Sequence, residues 1–263
     1  MRFRKFGELS WEVSEIGLGT WALGSNWGPQ DESESLRTLH AALDSGCNLI
    51  DTARAYGDGR SERLIAQALK QRPRADHVYV ATKVPPLANG KLRAVGVSTP
   101  EIDQNAVIDL MRRRCVDSIQ VIYNLFDQEA QAEIFSTALE HGVAVIVRVA
   151  LDESSLTGNL TGQSSFPQGD IRSSYFAGDR LQRTVDRVEK IRAVVGAEEP
   201  SLAAAALKFA IKPPVVSTVI VGTRTAQQAK VNYAVGCEPQ MSDDLEHKLR
   251  GHNWQRSFWY AGK

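Results

Sequence analysis

Cysteine is scarce in this sequence: Cys47, Cys115 and Cys237 are few, odd in number and widely spaced. A disulfide framework needs paired thiols, so these three read as packing residues of a reduced compartment. An excess of one charge is also lacking. The 31 Lys and Arg balance 31 Asp and Glu without a basic run, which argues against a nucleic acid or a membrane surface held by electrostatics. No stretch of 18 uninterrupted apolar residues is present, and Met1-Arg2-Phe3-Arg4-Lys5 contains no apolar signal region. A cytoplasmic enzyme or binding protein is the expectation, in which the Asn159-Leu160-Thr161 sequon is a chance match. Repeats, linkers and low-complexity segments are missing too, so residues 1–263 read as one domain.

What is there is alternation. Short β-branched runs take turns with amphipathic stretches, the pattern of parallel βα units, and 263 residues lie close to the roughly 250 of a (β/α)8 barrel. A hairpin is expected over Arg2–Phe6 and Trp11–Val13. Strands follow at Glu15–Thr20, Asn48–Asp51, His77–Lys83, Leu92–Ser98, Ser118–Asn124, Val143–Arg148 and Val216–Val221. Helices are expected at 33–45, from a Ser61 cap, at 101–114, 131–141, 179–195 and 201–211, and after Arg224 to about Val235, with a Gly- and Ser-rich loop at 152–178. An aromatic tail (Trp254, Phe258, Trp259, Tyr260) is expected to pack back on the body or on the mouth of the site.

That makes seven barrel strands where closure takes eight. The segment Val84–Lys91 joins the third strand to the next in fewer residues than the about 10 to 12 of a parallel crossover. One strand and its flanking helices, on the order of 45 to 70 residues, are therefore expected to be absent between Pro86 and Leu87.

The chemistry is written at the C-terminal ends of strands. Asp51-Thr52-Ala53-Arg54-Ala55-Tyr56-Gly57 puts an acid at a strand end and a phenol five residues later, and Lys83 ends the next strand. A lysine beside a tyrosine lowers the phenol pKa, and an aspartate keeps the ammonium charged and placed. Such a trio presents Tyr56 as a general acid to a carbonyl oxygen. Taken singly, Asp51 also reads as a cap, Tyr56 as a rim aromatic and Lys83 as a solvated strand end.

These motifs, with Gly17-Leu18-Gly19-Thr20-Trp21, Ser61-Glu62, Ala81-Thr82-Lys83, Gly90 to Ser98, Leu156-Thr157-Gly158 and Val219 to Arg224, resemble the aldo-keto reductases over nearly the whole chain. The resemblance implies a TIM (β/α)8 barrel that moves a hydride between NADPH and an aldehyde or ketone. It assigns Asp51, Tyr56 and Lys83 to the catalytic tetrad. It also places Gly222, Thr223, Arg224, Gln228 and Asn232 around the adenosine 2′-phosphate of NADP(H). A glycine, a helix start and an arginine suit phosphate, and the same Arg224 also reads as a cap of its own helix. Ser98 and Gln120, with Asn124, would bond the nicotinamide carboxamide, unless these strand polars satisfy one another. Gly19 and Thr20 fall on the cofactor side, and Trp21 forms a wall of the substrate pocket. Where the family often stacks an aromatic on the nicotinamide, the matching position is Arg148. The tetrad's histidine belongs to the fourth strand, and none of His40, His77, His141, His247 and His252 ends a strand.

The first expectation is thus an NADP-dependent carbonyl reductase with no metal. The alternative is an NADPH-binding protein of the same fold without turnover, motivated by the missing histidine. An unrelated phosphate-binding barrel is the third.

Overall fold

The computed structural model describes residues 1–24, 27–72, 77–83, 92–101 and 103–256. The chain opens with an antiparallel hairpin, β1 (Phe3–Lys5) and β2 (Glu12–Ser14), paired Phe3 to Ser14 and Lys5 to Glu12. Seven parallel strands follow: β3 (Ile16–Gly19), β4 (Leu49–Asp51), β5 (Tyr79–Ala81), β6 (Gly96–Ser98), β7 (Ser118–Ile122), β8 (Ala144–Arg148) and β9 (Val216–Gly222). Their order in the sheet is β5-β4-β3-β9-β8-β7-β6, which brings the last strand beside the first as a curled sheet requires. The architecture is α/β and TIM-barrel-like.

Strand periodicity decides which side chains face the interior. Leu49, Ala144, Ile146 and Ile220 form an inner cluster with Phe6 and Val13 of the hairpin, while Ile50, Val145, Val147, Val219 and Val221 pack outward against the helices. Two residues further along the same strands, the inward positions become Asp51 after Leu49 and Arg148 after Ile146. The hairpin closes the floor, where Trp11 stacks on Tyr79 at 4.8 Å.

The outer layer holds α1 (Glu32–Asp44), α2 (Arg60–Lys70), α3 (Ile108–Arg112), α4 (Ile134–Glu140), α5 (Arg172–Tyr175), α6 (Arg180–Val195), α7 (Leu202–Ile211), α8 (Ala226–Ala234) and α9 (Asp243–Arg250). Several expectations are corrected. Ser61 is not the cap of α2: Gly59 is, at φ +79, and the buried Ser61 hydroxyl donates to Thr20 Oγ1 at 2.6 Å. The strand expected over 92–98 is only Gly96–Ser98. The helix expected at 101–114 shortens to α3 preceded by a 3-10 turn (Gln104–Val107), and α9 was not expected. Of the cysteines only Cys47 is buried; Cys115 and Cys237 are exposed.

β5 and β6 are the two ends of the sheet, and among the described residues no strand lies between them. The connection 84–91, with the Pro86–Leu87 junction, lies outside the described residues, as does the tail from 257. No helix among those described is long and apolar enough to cross a membrane.

Candidate active site

Tyr56 reaches its place through two glycines. Gly57 sits at φ +65, and a Cβ there would lie 2.5 Å from the Gly24 carbonyl oxygen; a Cβ on Gly24 would lie 2.6 Å from the Tyr56 carbonyl carbon. The 3-10 turn Trp21–Gly24 and the turn carrying Tyr56 can meet this closely only because both lack side chains. Thr20 fixes the base of the same turn, its buried hydroxyl donating to the Asp51 carbonyl at 2.7 Å.

Asp51, Tyr56 and Lys83 converge. Lys83 Nζ donates to both Asp51 carboxylate oxygens at 3.1 Å, to the Thr52 carbonyl at 3.1 Å and to the Tyr56 hydroxyl at 2.9 Å. Burial is the main influence on Asp51 and pushes its carboxyl up, against the pull of Lys83. Burial and then the Asp51 charge raise the Tyr56 phenol, outweighing Lys83. The expectation of a lowered phenol pKa is therefore corrected: desolvation penalises the phenolate more than one ammonium favours it. Burial also works against the Lys83 charge, but Asp51 and the phenol more than compensate and hold its pKa above the usual value. The result is a protonated phenol hydrogen-bonded to a firmly held ammonium.

A cavity of about 720 Å³ opens above this trio, within the range of small-molecule sites. Asp51, Tyr56, Gln120 and Arg148 line one end; Gly222, Arg224, Gln228 and Asn232 line the other; Gly19 and Trp21 lie in its wall. A second cavity of about 450 Å³ follows the opening between β5 and β6, from Phe6 and Trp11 at the floor to Lys83 and Ser98 at the top. Asp51 and Gln120 line both.

Other residues singled out in the sequence are placed differently. Thr20 and Thr223 are fully buried and do not line the larger cavity; Thr223 accepts from Asn232 Nδ2 at 3.4 Å. Ser98 lines the second cavity and donates to Gln120 at 3.4 Å, while Gln120 Nε2 donates to Asp51 at 2.9 Å. In this state the strand polars satisfy one another. Asn124 lines neither cavity. Its side chain caps the Phe126 and Asp127 amides and donates to the Val149 carbonyl at 3.0 Å, holding a β-branched residue at φ +58.

Arg224 spans the far rim. Its Nε, Nη1 and Nη2 donate to Gln30 Oε1, the Trp27 carbonyl and the Pro29 carbonyl at 2.9, 2.8 and 2.8 Å, and its amide donates to Gln228 Oε1 at 2.9 Å. Each Nη keeps one further N–H. Beside it, a Cβ on Gly222 would meet nothing within 4 Å, so backbone and open space face a ligand there. These features fit a dinucleotide: an elongated cavity, a cation with donors to spare, and an open glycine at the strand end. Histidine is missing from the lining of both cavities among the described residues, and no cluster of metal-ligating groups occurs there.

Sequence reasoning missed Trp27, Glu153 and Arg172. The Arg172 guanidinium lies 4.5 Å over the Trp27 ring and 4.9 Å over Phe166, drawing the 152–178 loop across the cavity. The adjacent acids Asp152-Glu153 just past a strand end were the available signal.

The aldo/keto reductase family model matches residues 15–89 and 86–252, two stretches that meet at the short connection. Aldo-keto reductase YhdN of Bacillus subtilis is 30% identical, aligned over 66% of this chain and 69% of its own length. The NADH-specific methylglyoxal reductase of Escherichia coli is 23% identical over 84% of this chain and 89% of its own, in an alignment of 296 positions, longer than the 263 residues here. Among solved structures, a glycerol dehydrogenase from Gluconobacter oxydans (AKR11B4) superposes with a TM-score of 0.73 at 21% identity, covering 95% of this chain and 94% of that one. The holo form of AKR11C1 from Bacillus halodurans gives 0.73 at 21% identity, covering 96% of each chain. Motifs, curled parallel sheet and relatives agree, and the chain belongs to the aldo/keto reductase family of oxidoreductases.

Proposed function

We propose that this protein reduces an aldehyde or ketone with a nicotinamide dinucleotide, Tyr56 acting as general acid. The observation that carries the reading is the contact of the Tyr56 hydroxyl with Lys83 Nζ, itself held by Asp51, at the end of the larger cavity. A bound dinucleotide supplies the hydride. Tyr56 donates its proton to the carbonyl oxygen, and Lys83 stabilises the phenolate left behind. Asp51 keeps the ammonium charged and placed, and Gln120 fixes Asp51 in turn. Trp21 walls the substrate end. Gly19, Gly222, Gln228 and Asn232 line the dinucleotide's path, while Thr20, Thr223 and Ser98 support that lining from behind.

The two N–H groups that Arg224 keeps free favour NADPH over NADH. A cytoplasmic location follows from the same reading, and the partner is a small carbonyl compound. The test follows dinucleotide oxidation with an aldehyde: Tyr56→Phe is expected to lower kcat by about 10²- to 10⁴-fold while leaving dinucleotide affinity unchanged. Equal rates in the two proteins would remove Tyr56 from the chemistry.

A second reading has its own observation. Without a histidine on either cavity, the chain could bind the dinucleotide and not turn over. Tight binding with no turnover across a broad carbonyl panel selects it.

The barrel we propose carries one further strand with its flanking helices, inserted between Pro86 and Leu87. It would pair with the two sheet ends β5 and β6 and supply the fourth tetrad residue. The two family-model stretches meeting at this point and the over-long alignment support it.

A further inference from the structure

One cation at the reacting end of the larger cavity has no role in the chemistry above. Arg148 ends β8 two residues beyond the inward-facing Ile146, and it pairs with Ile122 of β7. Ile146 pairs with Gln120, so Arg148 stands one inward position above the glutamine that donates to Asp51 at 2.9 Å. Asp51, Tyr56, Gln120 and Arg148 line the same cavity. The guanidinium is held from the β6 side, where Nη2 donates to the carbonyl of Thr99, just past that strand, at 3.0 Å. In the order β9-β8-β7-β6 this turns it away from β9, whose Gly222 and the following Arg224 line the dinucleotide's path. Arg148 therefore faces what lies beside the reacting carbonyl.

The other cations of this cavity are committed. Lys83 holds Asp51 at 3.1 Å, Arg172 holds Asp170 at 2.7 Å, and Arg224 is strapped to backbone carbonyls at the far rim. Arg148 has only Glu101, half-exposed and 3.6 Å away, a pair of the kind that contributes little. Its Nε is buried without a hydrogen-bond partner, and Nη1 makes no hydrogen bond among the described residues. Nη2 keeps one N–H beyond the bond to Thr99, and Nη1 keeps both. A guanidinium so fixed and so short of acceptors presents a fork that matches the two oxygens of a carboxylate.

We propose that the substrate is an oxo acid, its carboxylate received by the Nη1 and Nη2 groups of Arg148 while its carbonyl meets Tyr56. Thr99 holds the guanidinium in place, and Trp21 walls the carbon skeleton between the two groups. Glu101 lines the same cavity and competes for the cation. A neutral carbonyl compound leaves that ion pair as it is, whereas a carboxylate replaces it with a bidentate contact.

This inference rests on the proposed carbonyl reduction, and the experiment separates the two. Glyoxylate, 4-oxobutanoate and 4-carboxybenzaldehyde, which space carbonyl and carboxylate differently, are each compared with the methyl ester by kcat/KM. For the pair whose spacing fits, the wild type is expected to favour the acid. Arg148→Met should lower that acid-to-ester ratio by about 10- to 100-fold. Arg148→Lys, which keeps the charge and loses the fork, should fall between them. Glu101→Gln frees the cation and should raise the ratio about two- to fivefold. A ratio taken within each protein cancels any general loss from a poorly folded variant. Preference for every ester in the wild type, or a ratio that Arg148→Met leaves unchanged, overturns the inference. Loss of NADP⁺ affinity in Arg148→Met at an unchanged ratio would give Arg148 to the dinucleotide. If the wild type reduces none of these compounds, the proposed function fails, and calorimetry with benzoate, which has no reducible carbonyl, decides the inference alone. Binding that Arg148→Met abolishes upholds it, and no binding, or equal binding in both proteins, overturns it.

Discussion

At the scale of single residues, the site turns on how burial competes with pairing. Tyr56 was recognisable from its spacing to Asp51 and Gly57, but the direction of its pKa was not, because desolvation is a property of the folded surroundings. Arg224 shows the same division. The strand-Gly-Thr-Arg run was legible, whereas its hold on the carbonyls of Trp27 and Pro29 joins residues nearly 200 positions apart. If Arg224 confers the proposed preference for NADPH over NADH, Arg224→Ala is expected to cut it by about 10- to 100-fold, the worth of a charge-assisted contact, as read from the ratio of dissociation constants. An equal loss for both dinucleotides would mean that Arg224 serves only the 27–30 loop. For Glu153 the sign is fixed by linkage. Its folded pKa of about 7 lies above the ordinary carboxyl value of 4.5, so its contribution to stability is fully present below pH 4.5 and is lost as pH rises through 7. Glu153→Gln should therefore stabilise the protein at pH 8, by roughly 1–3 kcal/mol in denaturant unfolding, and leave it unchanged near pH 4.

At the scale of elements, alternation of apolar runs located the strands seen among the described residues, and the structure moved mainly their ends. β6 is short, Gly96–Ser98, and pairs with β7 alone among the described strands. The Gly- and Ser-rich composition of 152–178 marked a loop and said nothing of what holds it in place. Two contacts do so: Arg172 over Trp27, and the buried ion pair of Asp152 with Arg256, which ties the loop to the segment after α9. Both partners of that pair are nearly inaccessible to solvent. Arg256→Ala strands the Asp152 carboxylate and is expected to cost about 3–5 kcal/mol by chemical denaturation. Asp152→Asn combined with Arg256→Met should recover much of that loss, because the charge that needed a partner is gone.

At the scale of the whole molecule, β5 and β6 are the two ends of the sheet, with no strand between them among the described residues. Val80 is 43% exposed, Leu92 49% and Val95 48%, while the central strands β7 and β8 are almost wholly buried. Unpaired sheet ends beside exposed apolar side chains bind other apolar surfaces. The mass of the protein isolated from its natural source is expected to exceed the 28.9 kDa of these 263 residues by several kDa, the weight of a strand and two helices. A protein of this mass alone should instead bind an apolar fluorescent dye strongly in the native state, and Val80→Lys should weaken that signal. The sequence by itself determined the βα order, the strand ends that carry Asp51 and Arg148, and the seven parallel strands seen among the described residues, because these depend on local periodicity and spacing. Only the tertiary structure decided that Lys83 meets both Asp51 and Tyr56, that Arg224 is strapped to the 27–30 loop, and that Asp152 pairs with Arg256. Those relations join side chains far apart along the chain, and their energies depend on burial that no local pattern encodes.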